Sequence, residues 1–232
     1  MRKKASNFRT KSHAKIGDKY ILQDYIDAGT FGSVWTELNL ETDEVVALKI
    51  PKDQERADNT LAEGKELQGC SHENIVRLIW MGRVDGVFVI EMEYFKGHKL
   101  SDEICETGFK SPMTFNQIYN MFNKILDGIE FIHNKKISHG DIKPQNILIR
   151  DDEIKITDFG TSKYTENIFI KTIDGQETMA YMAPEIAGTR KERHINSDIY
   201  SLGVILYQIL TGRTPYETSF QLLEGKTYPK PR

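Results

Sequence analysis

His139, Asp141, Lys143 and Asn146 fall within eight consecutive residues, and Asp158-Phe159-Gly160 follows shortly after. The stretch gathers a carboxylate that can take a proton, a cation, and two oxygen donors suited to a hard divalent metal. Transfer of a phosphoryl group from a nucleoside triphosphate needs such a set. The triphosphate is polyanionic, so its charge must be met by metal on oxygen ligands and by a positive side chain, while a carboxylate faces the incoming hydroxyl. Gly140, between His139 and Asp141, contributes no side chain.

These residues need a scaffold, and the hydrophobic pattern changes character along the chain. From Tyr20 to Met92 the runs Tyr20–Ile26, Ser33–Leu38, Glu44–Ile50, Val76–Met81 and Val87–Met92 are short, β-branched or aromatic, and bounded by turn residues, which predicts strands. One helix, Thr60–Gln68, is expected among them, with Leu61 and Leu67 roughly on one face and Gly69 as its stop. Beyond Phe95 the period becomes helical. Thr114 and Gln117 form a capping pattern, and Ile118, Met121, Phe122, Ile125, Leu126, Ile129 and Ile132 mark a core-facing stripe. Ile147–Ile149 and Ile154–Ile156 read as a hairpin around Asp151-Asp152, and Asp198–Thr211 as a buried helix ended by Gly212. Strands first and helices afterwards predict an α+β protein of two lobes with a cleft between them.

Composition limits the alternatives. With 232 residues, 39% of them hydrophobic and 28% charged, the chain has the make-up of a globular protein with a core of its own. The longest apolar run, Leu202–Leu210, is interrupted by Gln208 and is far shorter than the ~20 residues of a membrane-spanning helix. With no signal-like apolar segment at the N-terminus and only Cys70 and Cys105 as thiols, a cytoplasmic location is expected. The net charge of −3 argues against a general nucleic-acid binder. Before Asp18 there is no acid, and Arg2, Lys3, Lys4, Arg9, Lys11 and Lys15 sit among polar residues, so residues 1–17 are expected to be a disordered basic tail.

Ala28-Gly29-Thr30-Phe31-Gly32-Ser33-Val34 joins two predicted strands, a context that fits a glycine-rich flap over phosphates; an ordinary hairpin turn reads as well. Lys49 lies on an apolar strand between Ala47 and Ile50, where it either has a task or simply faces solvent.

Taken with the His139–Asn146 stretch and Asp158-Phe159-Gly160, these segments give a chain that resembles the eukaryotic-type serine/threonine protein kinases from Tyr20 to Tyr216, each motif in the expected order. The resemblance implies ATP and Mg²⁺ as cofactors and a two-lobed kinase domain over residues 18–232, the N-lobe ending near Phe95. It implies Asp141 as the base that orients the substrate hydroxyl, Lys143 as the cation at the transferring phosphoryl, and Asn146 and Asp158 as metal ligands. It assigns Lys49 to the α- and β-phosphates, with Glu63, nine residues before His72, as its helix partner. Thr60 and Glu63 also satisfy a capping box, which needs no catalytic role. Gly29 and Gly32 match the flap, Met92 the gatekeeper, and Glu93 and Phe95 the hinge whose backbone meets the adenine edge. Val34, Ala47 and Leu148 match the residues that sandwich the ring. Leu67, Leu78, His139, Phe159 and Asp198 align with a stacked spine. Thr178–Glu185 resembles the substrate-binding end of the activation segment, and with Lys143 it implies protein substrates with serine or threonine acceptors. Thr161, Ser162, Tyr164, Thr165 and Thr172 are candidate phosphorylation sites.

Three departures qualify the resemblance. Gly140 replaces the arginine that grips a phosphorylated activation loop, which predicts activity independent of loop phosphate. The His-Gly-Asp triplet is shared with aminoglycoside and choline kinases, which supplies a small-molecule kinase as the alternative. Asp27 occupies the place of the first flap glycine, and this acid near phosphates keeps open a weakly active nucleotide-binding module. The third departure is the short C-terminal lobe. Its missing terminal helices would leave Glu185 buried without an arginine and an apolar face of the Asp198 helix uncovered, to be closed by a partner or by self-association, or else the chain is a fragment of a longer protein.

Overall fold

The computed structural model describes residues 12–29, 32–55, 57, 67–105, 108–158, 176–188, 195–217, 221 and 224–225. Contacts divide the chain into two compact units, Met1–Ser71 with Val76–Phe95, and His72–Ile75 with Lys96–Arg232.

The first unit is built on a six-stranded antiparallel sheet of β1 (Lys15–Ile16), β2 (Tyr20–Gly29), β3 (Gly32–Asn39), β4 (Glu44–Pro51), β5 (Leu78–Val84) and β6 (Val87–Glu93), ordered β1-β2-β3-β4-β6-β5. Asp85 (φ 48°) and Gly86 (φ 81°) turn β5 into β6, the pair of positive φ angles that a two-residue hairpin loop demands. Side chains alternate across a sheet, so the register assigns them to faces. Val34 stands opposite Lys49 and Ala47 opposite Met92, which places these four on one face. Trp35 stands opposite Leu48, Leu48 opposite Glu91 and Leu22 opposite Glu37, on the other. That second face carries a core of its own: Ile16, Tyr20, Leu22, Trp35, Leu48, Ile50 and Val89 are buried together, with Ala14 packed against them.

This core corrects the expected tail boundary at residue 17. The His13 N–H donates to the Leu22 carbonyl (2.7 Å), the Leu22 N–H donates to the Ala14 carbonyl (3.0 Å), and Ile16 is 1% exposed. Ala14 and Ile16 are alternate apolar residues inside a basic run, and they cover the far face of the sheet as an added edge strand. Residues 1–11 of the expected tail lie outside the described residues, as does nearly all of the expected helix Thr60–Gln68, Glu63 included.

The second unit contains β7 (His98–Lys99), α1 (Leu100–Glu103), β8 (Ile104–Cys105), β9 (Gly108–Phe109), α2 (Phe115–Asn134), a 3₁₀ turn (Pro144–Asn146), β10 (Ile147–Arg150), β11 (Glu153–Ile156), α3 (Gln176–Tyr181), α4 (Pro184–Gly188) and α5 (Ile195–Thr211). Thr114 and Gln117 cap α2 reciprocally, as the sequence predicts. Its buried stripe is Met121, Ile125, Ile129 and Ile132, narrower than expected; Leu126 is 38% exposed. Gly128 is where α2 is crossed closely, because a Cβ there would meet the Asn74 carbonyl oxygen at 3.0 Å. The predicted hairpin is β10 paired with β11, with Asp151 at φ 53° in its turn.

The fifth helix starts three residues before the expected Asp198 and ends where Gly212, at φ 79°, donates its N–H to the Gln208 carbonyl (2.7 Å). It is not buried all round. Ile199 and Leu210 are 54% and 51% exposed, so one apolar face is open.

Candidate active site

The β10–β11 hairpin sets two of the candidate ligands side by side. Its first pair is Ile147 with Ile156, and the ladder continues outward as the Thr157 N–H donates to the Asn146 carbonyl (3.0 Å). Asn146 and Asp158 therefore emerge from the same open end. Asp158 has φ 69°, a left-handed conformation that a non-glycine residue adopts at a cost of order 1–3 kcal/mol and that concentrates at functional positions. Asn74, buried beneath, donates its side-chain amide to the Ile154 carbonyl (3.1 Å) and accepts the Ile156 N–H on its own carbonyl (2.9 Å), which fixes the second strand of the hairpin.

Asp141 is 7% exposed and its carboxylate is held on one oxygen. Lys143 Nζ lies 3.0 Å from Asp141 Oδ2, and Asn146 Nδ2 donates to the same oxygen (3.1 Å) and to the Asp141 carbonyl (2.7 Å). Both contacts go to Oδ2, which presents Oδ1 for a further hydrogen bond. With both donor bonds of the Asn146 amide directed at Asp141, its Oδ1 is left to act as an acceptor. Asn146 Oδ1 and the Asp158 carboxylate thus fit Mg²⁺, a cation that takes hard oxygen ligands and is usually held by one or two carboxylates.

The loop is anchored from below. His139 is fully buried, and its Nδ1 accepts the Asp141 N–H (3.2 Å) while Nε2 reaches the Thr157 carbonyl at 3.0 Å. Through these two bonds His139 is a strut between the Asp141 loop and the Asp158 segment. Asp198, 1% exposed, accepts the N–H groups of His139 on Oδ2 and of Gly140 on Oδ1, both at 2.8 Å. Its Oδ2 also meets His133 Nε2 at 2.9 Å and Ser138 Oγ at 3.0 Å. Burial alone would raise this carboxyl; the His133 hydrogen bond, the field of His139 and the two backbone amides outweigh it and hold Asp198 below its usual range. Gly140 itself has φ 73°, the left-handed region where a residue with a Cβ is strained.

In the first unit, Val34, Ala47, Lys49 and Met92 line one sheet face, and Lys49 is 4% exposed. Gly32 is required by close packing: a Cβ there would meet the Ile50 carbonyl oxygen at 2.3 Å. The Glu93 N–H donates to the Arg77 carbonyl (3.0 Å), so a contact from Glu93 to an adenine edge would run through its carbonyl oxygen. Phe95 is buried, and Leu148, on β10, is half-buried. Thr30, Phe31, Glu63, Phe159, Gly160 and the candidate phosphorylation sites lie outside the described residues.

The sequence matches a model of the protein kinase domain over residues 20–227. The chain belongs to the protein kinase family. It is 32% identical over 219 residues to the probable serine/threonine-protein kinase fhkE of Dictyostelium discoideum, covering 87% of this chain and 30% of that protein. It is 32% identical over 214 residues to the serine/threonine-protein kinase PrkC of Bacillus subtilis, covering 88% and 32% respectively. The serine/threonine-protein kinase H1 homolog of Danio rerio is 31% identical over 240 residues, 97% of this chain and 56% of the relative. The chain thus spans about a third to a half of the length of these curated relatives. The crystal structure of the Mycobacterium tuberculosis PknI kinase domain, solved as a cysteine-to-alanine mutant, superposes with a TM-score of 0.70 at 19% identity, over 90% of this chain and 80% of that one, and shows a shared fold.

In this kinase domain the segment resembling a substrate-binding strip is pinned to α5. Ser201 Oγ donates to the Tyr181 carbonyl (2.7 Å) and the Tyr181 hydroxyl donates to Gln208 Oε1 (2.6 Å). Thr178 falls within α3. Glu185 corrects an expectation: it is exposed at the start of α4, so the cost of a buried carboxylate lacking its arginine does not arise. Sequence reasoning gave neither His133 nor Ser138 a role. The only signal for either was a polar residue bordering the apolar stripe of α2 or the His139 motif. Among the described residues no helix is long and apolar enough to cross a membrane.

Proposed function

We propose that this kinase domain transfers the γ-phosphoryl group of ATP to serine or threonine hydroxyls of proteins. The observation that carries the reading is the one-sided grip on Asp141, whose Oδ2 is occupied by Lys143 and Asn146 while Oδ1 is presented for a substrate hydroxyl. Asp141 orients that hydroxyl and takes its proton as the oxygen attacks phosphorus, and the leaving group is ADP. Lys143, 3.0 Å from Asp141, would also offset negative charge on the transferring group. Asn146 and Asp158 would hold Mg²⁺, which when bound would neutralise phosphate charge. Lys49, on the face shared with Val34, Ala47 and Met92, would bind the α- and β-phosphates, with Glu63 as its partner; Val34, Ala47 and Leu148 would enclose the adenine and Gly29 and Gly32 the phosphates.

Protein substrates are favoured over small molecules by the Thr178–Glu185 segment, which resembles the substrate-binding end of the activation segment and is tied to α5 through Tyr181 and Ser201. Incubation with labelled ATP and Mg²⁺ should place phosphate on serine or threonine of a generic protein acceptor. Labelling of an aminoglycoside or choline in preference to any protein would replace this reading with the small-molecule one, and nucleotide binding without transfer would leave only an interaction module. Location in the cytoplasm, and a partner or second copy over the open face of α5 at Ile199 and Leu210, complete the proposal.

A further inference from the structure

Glycine has the widest backbone freedom of any residue, so a glycine directly before Asp141 makes the position of that carboxylate depend on how firmly its neighbours are held. Asp198 does the holding, by accepting the N–H groups of His139 and Gly140, both at 2.8 Å. The carboxylate must itself be oriented for those two bonds to persist, and its Oδ2 has two side-chain partners. One is His133 Nε2 at 2.9 Å, from α2. The other is the Ser138 hydroxyl at 3.0 Å. Ser138 is the residue immediately before His139, so three successive residues, 138 through 140, converge on one buried carboxylate through a side chain and two amides. This ring of bonds sits directly upstream of Asp141.

We propose that Ser138 is a positioning residue for phosphoryl transfer: by donating its hydroxyl to Asp198 it keeps the glycine-containing loop in the one conformation that presents Asp141 Oδ1. It touches neither substrate nor nucleotide and acts through Asp198. The inference rests on the reading of Asp141 as the group that orients the substrate hydroxyl. Hydrogen bonds to a charged acceptor are among the stronger ones in proteins, and removing this one leaves Oδ2 with two donors in place of three, which frees the carboxylate to rotate.

The test uses the full chain with Ser138→Ala, Ser138→Val and Ser138→Thr, each checked by thermal melting. Thr keeps the hydroxyl and Val matches its shape without it. Three quantities are read: hydrogen exchange of the His139 and Gly140 amides, and kcat and KM for ATP in protein phosphorylation. The expected result is exchange about five- to tenfold faster in Ala and Val, kcat lower by a similar factor, KM for ATP unchanged, and Thr close to wild type in both. Val behaving like Thr, or Ala with wild-type exchange and kcat, would overturn the proposal. So would a kcat loss matched by an equal rise in KM for ATP. Exchange is independent of activity, so a chain that transferred no phosphate would defeat the functional reading while the amides still decided whether Ser138 holds the loop.

Discussion

Glu37 lies in the middle of β3 on the far face of the first sheet, fully buried, and neither of its carboxylate oxygens has a hydrogen-bond partner. Burial first, and then the charge of Glu91, push its pKa up from 4.5 to about 9, with Lys19 opposing. Glu91 is itself saturated, accepting the Tyr20 hydroxyl (2.7 Å) and the Asn39 amide (2.5 Å), with Lys19 Nζ at 3.6 Å. Glu37 is therefore a neutral acid in the folded chain at pH 7. Its folded pKa is raised, so the folded state holds a proton that the unfolded state has lost. The stability this contributes is complete below about pH 4.5 and drains away as the pH climbs through about 9. Each pH unit inside that window costs about 1.4 kcal/mol, so from pH 7 to pH 9 the folded state loses roughly 3 kcal/mol, or about 6–12 °C in Tm.

Glu37→Gln has nearly the same shape and cannot ionise, so that loss should vanish. The two tryptophans of the chain, Trp35 and Trp80, both pack at this core, and their fluorescence reports the unit concerned. Unfolding followed at pH 6, 7, 8 and 9 should show wild type losing stability steeply and Glu37→Gln staying nearly flat. Parallel slopes for the two proteins would mean that Glu37 is already ionised when folded, and its assignment as a neutral acid would fall.

Gly32→Ala should destabilise the first unit and weaken ATP binding by tenfold or more, since its Cβ would strike the Ile50 carbonyl oxygen at 2.3 Å and β3 would have to move; nucleotide titration checks this. Asp198→Asn should remove most phosphoryl transfer and cost about 3 kcal/mol or more, because the amide cannot accept all four donors that now meet the carboxylate. The depressed pKa of Asp198 has the opposite pH sign to Glu37: its stability is present above about pH 4 and lost as the pH falls further, which acid unfolding of wild type against Asp198→Asn will show. Gly140→Ala should lower stability by about 1 kcal/mol through its left-handed φ of 73°, and phosphatase treatment of wild type should leave activity unchanged because no arginine stands there to grip loop phosphate.

The strands of the first unit were legible because turn residues bound each one and side chains alternate. β2, β3, β4 and β6 include the runs expected from sequence, with one to three residues added at an end. The Thr114 cap and the β10–β11 hairpin were legible for the same local reason. What escaped notice is non-local. Glu37 and Glu91 would ordinarily mark a solvent face, yet both are buried on the face that carries the Ile16, Tyr20, Leu22 and Trp35 core. Leu126 fits the helical period of α2, yet it stays partly exposed, since a period shows which residues share a face and not how wide the covered strip is. The catalytic-loop motif brought Asp141, Lys143, Asn146 and Asp158 together in the sequence, and the fold keeps them on one hairpin end and its adjoining loop. The motif could not show that Asp198, sixty residues from Ser138, holds the loop through three donors and meets α2 through a fourth, His133.

Asp141, gripped by Lys143 and Asn146, is the group proposed to orient the hydroxyl that attacks ATP. The decisive measurement is phosphate transfer to serine or threonine of a protein acceptor by wild type and by Asp141→Asn, with ATP affinity measured in parallel. Turnover should fall in the variant by about two to four orders of magnitude, the range of a lost acid–base group, while ATP binding stays essentially unchanged. Equal transfer by the two proteins would show that the Asp141 carboxylate does not perform this step.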